Sequence, residues 1–357
     1  MSGGVDSSVA ALRMKEDGWD CIGCTMRLYD GAGPDLPGGN TCCSLEDAED
    51  ARAVARRLGM PYYVFNFTGD FRRQVMEPFV HAYLRGETPN PCLECNRHLK
   101  FDRLLRRAAE LRCVALATGH YARTDFDGER WHLRKALDGG KDQSYVLYML
   151  TQEQLSLLRF PLGALTKAEV RRRAAEHGFP TARKPDSQDI CFVPDGDYPA
   201  MIRRFTGRES IPGDFTDTAG RVLGRHRGIE HYTVGQRRGL GLPHPERQYV
   251  CAIRPESNTV VLGREEELLT REVDVSAFHW IAGAAPGAPF PAAAKLRYRQ
   301  PEQPCTVVPL PNDVVRLVFD VPVRAPAPGQ SAVVYREDEV LGGGKIVSSA
   351  PCQSRRI

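Results

Sequence analysis

No run of the 357 residues is long and apolar enough to cross a bilayer. No basic-then-apolar segment opens the chain, so a cytosolic protein with no membrane partner is predicted. No excess of one charge dominates: 48 Lys and Arg face 45 Asp and Glu, for a net charge of +3. That balance permits a nucleic-acid partner without demanding one. The Gly pair near the start is not followed by Gly-Lys-Ser/Thr, which excludes a phosphate loop of the Walker form. No second Cys-x-x-Cys accompanies the one at 92–95, which weakens a structural zinc site. No internal repeat is visible.

Cysteine itself is not scarce. Eleven is many for a reducing compartment, where it points to redox or sulfur chemistry rather than to staples. A hydrophobic fraction of 42% supports real cores, and the length predicts two or three domains.

Up to about residue 190, short apolar runs alternate with amphipathic helices. Strands are predicted at 21–26, 62–67 and 114–118. Helices are predicted at 44–59, with Ser44 as N-cap and Asp47 at the capping-box position, at 96–111, and at 166–177 ahead of Gly178. This alternation predicts a parallel sheet with helices on both faces. From about residue 207 glycine and proline become frequent and short β-type runs appear at 248–253, 259–262, 314–318 and 331–335. The C-terminal part is therefore expected to be an all-β barrel, with a linker-like stretch at 282–291.

The chain opens Ser2-Gly3-Gly4-Val5-Asp6-Ser7-Ser8 before an Ala/Leu-rich helix. Two glycines let backbone approach a ligand closely, and the helix N-terminus presents free N–H groups and a positive dipole end. The two serines add hydroxyls, and Asp6 can help to hold Mg2+. Asn90-Pro91-Cys92-Leu93-Glu94-Cys95-Asn96 sets a Cys-x-x-Cys at a helix start, where thiol pKa falls. Alone that pair is ambiguous between zinc, redox and iron–sulfur chemistry. Cys191 stands far off in Asp186-Ser187-Gln188-Asp189-Ile190-Cys191-Phe192, while Cys113, Cys251 and Cys305 read as packing residues. His231 and His279 read as ordinary histidines, and Arg171-Arg172-Arg173 as a solvated helix face. The basic, Gly-rich turn 235–239 is a candidate for phosphate contact.

The opening run resembles the PP-loop of the ATP pyrophosphatase superfamily. With it, C-C-S-L-E-D-A at 42–48, N-P-C-L-E-C-N at 90–96, T-G-H-Y-A at 118–122, G-K-D-Q-S-Y at 140–145 and D-S-Q-D-I-C-F at 186–192 resemble the tRNA-specific 2-thiouridylase family. Y-T-V-G-Q-R-R-G-L-G at 232–241, R-Y-R at 297–299 and P-G-Q-S at 328–331 continue it over nearly the whole chain. The joint order of these runs carries the specificity.

The resemblance implies an α/β catalytic domain at 1–206, a small central domain at 207–271 and a C-terminal β-barrel contacting tRNA at 272–357. It implies Cys95 as catalytic nucleophile and Cys191 as the persulfide carrier. Ser2, Gly3, Gly4, Val5, Asp6, Ser7, Ser8, Met26 and Gly119 would line an ATP site. Asn90, Pro91 and Cys92 would meet the target base. His120, Lys141, Asp142, Gln143, Arg297, Tyr298 and Gln330 would touch tRNA. The implied reaction is 2-thiolation of a wobble uridine using ATP and Mg2+, on tRNAs for Lys, Glu and Gln, with a cysteine desulfurase or a relay protein as sulfur donor.

Two departures from the family pattern matter. An apolar strand normally precedes Met-Ser-Gly-Gly, and here the sequence starts at that methionine. Many members carry Asp where this chain has Cys92, so Cys92, Cys95 and Cys191 could instead ligate an iron–sulfur cluster. The rivals are another PP-loop RNA-modifying or amide-forming ligase, which needs no paired reactive cysteines, and a non-catalytic RNA-binding protein, which leaves the PP-loop unexplained.

Overall fold

The computed structural model describes residues 1–29, 45–186, 190–243 and 246–349. The expected helix cap Ser44, residues 42–43, and Ser187, Gln188 and Asp189 lie outside the described residues.

The N-terminal part is α/β. Strand β1 (Gly23–Arg27) pairs in parallel with β2 (Tyr62–Asn66), and β3 (Leu116–Ala117) in parallel with β6 (Leu158–Arg159). Residues 1–2 run beside β1: the Met1 amine donates to the Cys24 carbonyl, and Thr25 Oγ1 donates to the Met1 carbonyl at 2.6 Å. Helices Val5–Glu16 and Lys167–Glu176 pack together through Val5, Val9, Leu12, Val170 and Ala174, all buried. The second of these has the expected cap. Thr166 accepts from the Glu169 N–H, Glu169 accepts in return, and Gly178 takes the left-handed φ of 62° beyond its end.

Two predicted bounds shift. The helix expected at 96–111 begins at Pro91, because Asn90 caps it and proline suits the first helical position. It widens into a π turn at Cys95–Arg103 and returns to α at Leu104–Glu110. The strand expected at 114–118 shrinks to Leu116–Ala117, since Arg112 takes a left-handed φ of 58° and Val114 is 73% exposed.

A hairpin escaped the sequence reading. Strands β4 (Ala122–Phe126) and β5 (Trp131–Lys135) pair antiparallel around Asp127-Gly128.

The central domain is a four-stranded sheet of order β8-β7-β10-β9, made of β7 (Gly213–Thr216), β8 (Val222–His226), β9 (Tyr249–Arg254) and β10 (Thr259–Gly263). Six antiparallel strands then close a barrel: β11 (Leu269–Trp280), β12 (Phe290–Lys295), β13 (Gln303–Leu310), β14 (Val314–Arg324), β15 (Ser331–Arg336) and β16 (Glu339–Ser349), in the order β11-β14-β13-β12-β15-β16 with β16 returning to β11. Of the stretch 282–291, residues 282–289 thus connect β11 to β12 inside the barrel, and Phe290 and Pro291 open β12.

The barrel is not a separate appendage. β5 joins β16 at Arg134 and Glu339. Asp338 accepts from Arg134 at 2.9 Å and Arg123 at 2.8 Å, and Glu339 accepts from Arg130 at 3.0 Å. Barrel residues Val333, Tyr335 and Val340 lie in the same core as Phe71, Leu99, Tyr145 and Phe192 of the α/β part.

Candidate functional site

The phosphate loop is built by close approach. Gly3 takes a φ of 67°, and a Cβ there would lie 2.3 Å from the Asp47 carbonyl oxygen. Gly119 lies against the other side of the loop, where a Cβ would lie 2.9 Å from the Ser7 nitrogen. Both positions need glycine so that two backbones can touch. Gly4 is the extended N-cap of the helix that starts at Val5. The hydroxyls of Ser7 and Ser8 donate to the Gly4 carbonyl at 3.1 and 2.9 Å, and the Ser2 N–H donates to Ser7 Oγ at 3.0 Å. Met26 sits near the carboxyl end of β1, the edge at which parallel sheets open their ligand crevices.

The first acidic side chain of this loop is already engaged. Asp6 accepts from Tyr121 Oη at 2.7 Å and from Lys167 Nζ at 2.7 and 2.8 Å. The same Nζ lies 2.8 Å from Asp186. Asp186 also takes Lys141 Nζ and Arg171 Nη2, each at 2.9 Å. Burial raises the Asp186 pKa, but the Lys167 and Lys141 ammoniums outweigh it and lower the value to about 2. Burial first and then the Asp6 charge push the Tyr121 phenol upward, so it stays a donor.

Lys167 was missed in the sequence reading. A signal existed: a cation at the first helical position sits at the wrong end of the helix dipole, so it calls for an anion nearby. The arginine run was also misread. Arg171 donates to the carbonyls of Ala182 and Lys184 as well as to Asp186, and Arg173 reaches Glu16 at 3.2 Å. Only Arg172, paired with Glu176, fits a solvated face.

The cysteines stand on one core. Asn90 Oδ1 accepts from the Cys92 N–H at 3.1 Å, which leaves Cys92 exposed in the first turn. Cys95, half-buried, opens the π turn, and its neighbour Asn96 is buried and donates to the Val146 carbonyl at 2.9 Å. The Cys191 carbonyl accepts from Tyr29 Oη at 3.4 Å. Phe192 is fixed edge-on by Phe71 and Phe79, with ring centroids 5.6 and 5.2 Å away. Cys95 and Cys191 pack against the same apolar cluster. Among the described residues no group of three or more His, Cys, Asp or Glu side chains could hold a metal ion.

The residues expected at tRNA divide in two. Asn90, Cys92, Lys141 and Tyr298 reach the surface, with Tyr298 37% exposed and its ring 5.9 Å from that of Tyr145, while Pro91 is buried beside them. The others turn their polar atoms inward. His120 is buried, its Nδ1 lies 2.8 Å from Thr118 Oγ1, and burial followed by the Lys100 charge drives its pKa far down, so it is neutral. Asp142 accepts from Ser144 Oγ and from the Ala136 and Ser144 N–H groups. Gln143 Oε1 accepts from the Tyr121 N–H. Arg297 donates to the Val234 and Ala325 carbonyls. Gln330 donates to the Thr88 carbonyl. Shared sequence runs contain framework residues as well as contacts, and these five all make hydrogen bonds within the protein. In the turn 235–239, Arg237 and Arg238 are exposed. His231 pairs with Ser210, and His279 with the Leu150 carbonyl, as ordinary histidines do.

Family models described as "tRNA methyl transferase HUP domain", "tRNA methyl transferase PRC-barrel domain" and "Aminomethyltransferase beta-barrel domain" match residues 1–195, 201–264 and 270–346. The chain is 47% identical over 350 residues to a tRNA-specific 2-thiouridylase of Geobacter metallireducens, covering 97% of this chain and 95% of that protein. It is 49% identical over 353 residues to one of Moorella thermoacetica, covering 98% and 99%. It is 48% identical over 357 residues to one of Paramagnetospirillum magneticum, covering 98% and 94%.

Proposed function

The chain belongs to the tRNA-specific 2-thiouridylase family, and we infer that it is a PP-loop enzyme that replaces the C2 oxygen of a tRNA uridine with sulfur. The observation that carries this reading is the pairing of a glycine-built phosphate loop with Cys95 and Cys191 on one core.

Uracil C2 is a poor electrophile because its oxygen is a poor leaving group. In the proposed reaction that oxygen attacks the α-phosphorus of ATP, pyrophosphate leaves, and C2 then bears AMP as a leaving group. The loop backbone of residues 2–8 and Lys141 stabilise charge on the phosphates. Mg2+ bound with ATP would neutralise part of that charge, and Asp6 is the loop carboxylate that would hold it in place of its present Lys167 contact. The terminal sulfur of a persulfide on Cys191 attacks C2, and AMP departs. The Cys95 thiolate then attacks the inner sulfur, which is Cys191 Sγ; the S–S bond breaks, the thiocarbonyl is released and a Cys95–Cys191 disulfide remains. A dithiol reductant resets the pair. Asn90 and Cys92 border the base, and Tyr298 offers it a ring.

The tRNAs for Lys, Glu and Gln, a cysteine desulfurase or relay protein as sulfur donor, and a cytoplasmic location belong to the same proposal. No helix among the described residues is long and apolar enough to cross a membrane. An amide-forming PP-loop ligase has no use for the paired cysteines. The test is incubation with unmodified tRNA, ATP and a sulfur source. Pyrophosphate release that depends on tRNA, with sulfur in one nucleoside by mass, supports the reading. Pyrophosphate release without tRNA, or a nucleoside without sulfur, overturns it.

A further inference from the structure

Lys167 is a nearly buried ammonium, its side chain 12% exposed, held between two carboxylates on different segments. Asp6 belongs to the phosphate loop and Asp186 to the stretch that leads to Cys191. Asp186 is unusual in the number of cations it draws: Lys141, Lys167 and Arg171 all lie within 2.9 Å of its two oxygens. Asp138 completes the cluster, with its carboxylate accepting from the Lys167 N–H at 3.0 Å. Lys184 takes no part, since Asp47 and Asp50 engage it at 2.6 and 2.7 Å. Three cations thus converge on two carboxylates, Asp6 and Asp186, while Asp138 binds only backbone N–H groups beside them.

A carboxylate that collects two ammoniums and a guanidinium is doing what a phosphate group does. Compact ammoniums and a forked guanidinium are the usual phosphate-binding groups. Here they converge beside a loop whose backbone is shaped for phosphate, since Lys167 touches that loop through Asp6. A polyphosphate carries more charge and more acceptor oxygens than one carboxylate, so it competes for the same donors on favourable terms.

We propose that Asp186 is an internal stand-in for the β,γ-phosphates of ATP, and that Lys141, Lys167 and Arg171 exchange it for the polyphosphate when the nucleotide binds. Lys167 and Lys141 are then substrate-binding residues for the pyrophosphate leaving group, and Asp186 is an autoinhibitory competitor that lowers affinity for nucleotide in the resting protein. This rests on the PP-loop reading of the ATP site and adds to it the cations and the competing anion.

The sign of one substitution separates this from an ion-pair network that only holds the fold. Inorganic pyrophosphate binding to the full chain is measured by calorimetry, with melting temperature as a folding control. Removing the competitor with Asp186→Asn should tighten pyrophosphate binding on the order of tenfold, a typical coupling between competing sites. Lys167→Met should weaken it by a similar factor, and Lys167→Arg should restore much of it. Asp186→Ser repeats the test if the Asn variant does not fold. Wild-type protein that binds neither ATP nor pyrophosphate sinks the ATP-site reading itself. Wild-type protein that binds both, with Asp186→Asn unchanged or weaker, leaves that reading intact and overturns the stand-in.

Discussion

The side-chain amide of Gln330 donates to the Thr88 carbonyl at 2.6 Å, which ties a barrel turn to the residues that lead into the Cys92–Cys95 helix. Beside it the Thr88 N–H donates to the Pro328 carbonyl at 2.8 Å. Tyr145 Oη donates to the Ser331 carbonyl at 2.7 Å, and Lys345 stands 3.7 Å from Glu94. The barrel therefore fixes where Cys95 stands, in addition to any contact it makes with RNA.

Gln330→Ala should accordingly act on turnover. Losing one hydrogen bond of about 1 kcal/mol loosens the helix start and slows thiolation several-fold at saturating tRNA. The dissociation constant for tRNA should change little. Unchanged turnover with weaker tRNA binding would return Gln330 to the RNA surface.

Asp6→Asn should abolish tRNA-dependent pyrophosphate release while tRNA binding persists, because the proposal gives the loop to the phosphates of ATP and the RNA contacts to other residues. Asp6→Ala should in addition lower stability by about 1–3 kcal/mol, since it removes partners from the buried Lys167 ammonium and Tyr121 hydroxyl. Thermal unfolding and a pyrophosphate assay check both, and full thiolation by either variant removes Asp6 from the ATP site.

Much of this was legible in the sequence because it is local. The phosphate loop, the Thr166 cap and the Gly178 stop need only neighbouring residues to be read. The β4–β5 hairpin was readable too, from Asp127-Gly128 between alternating residues, the strongest short-range hairpin signal. What sequence could not reveal is pairing at long range. That Lys167 bridges Asp6 and Asp186, that Arg171 is tied down, and that His120 and Asp142 are buried depend on which segments meet. The π turn at Cys95 has no sequence signature, because the widened hydrogen bonding follows from packing against the core.

The two central cysteines should fail in different ways. Cys191→Ser should accept no persulfide from a sulfur donor. Cys95→Ser should accept it and then stall with sulfur still on Cys191, visible by intact-protein mass. Cys92→Ser should slow the reaction without ending it, since Cys92 is exposed and is proposed only to border the base. Equal and complete loss in all three, with activity revived by anaerobic iron, would favour a cluster over the persulfide route.

His132 should make the hairpin–barrel contact sensitive to pH. Its Nδ1 lies 2.7 Å from Glu339 and its Nε2 2.8 Å from Asp127. Burial lowers the His132 pKa, but the two carboxylates outweigh it and the net shift is upward from 6.5. A raised folded-state value means that the stabilisation is complete below about pH 6.5, the unfolded value, and is lost as pH rises through the folded one. Melting temperature should therefore fall across the neutral-to-alkaline range by more in the wild type than in His132→Gln. Parallel curves for the two proteins would show that His132 is uncharged in the fold.

Removing the barrel should cost more than RNA affinity. If the barrel were an independent RNA module, deleting residues 269–349 would weaken tRNA binding, flatten its salt dependence and leave the α/β part folded. The core argues otherwise. Val333, Tyr335 and Val340 are buried against Tyr145 and Leu147, and each side chain of that kind contributes about 1.5–3 kcal/mol by leaving water. Deletion also strands Arg134 and Arg123 without Asp338 and leaves the β5 edge unpaired. The truncated chain should melt well below the full chain and lose ATP-dependent pyrophosphate release together with tRNA binding. A truncated chain with the melting temperature of the whole protein would show that the two parts fold independently, and the positioning of Cys95 by the barrel would fall with it.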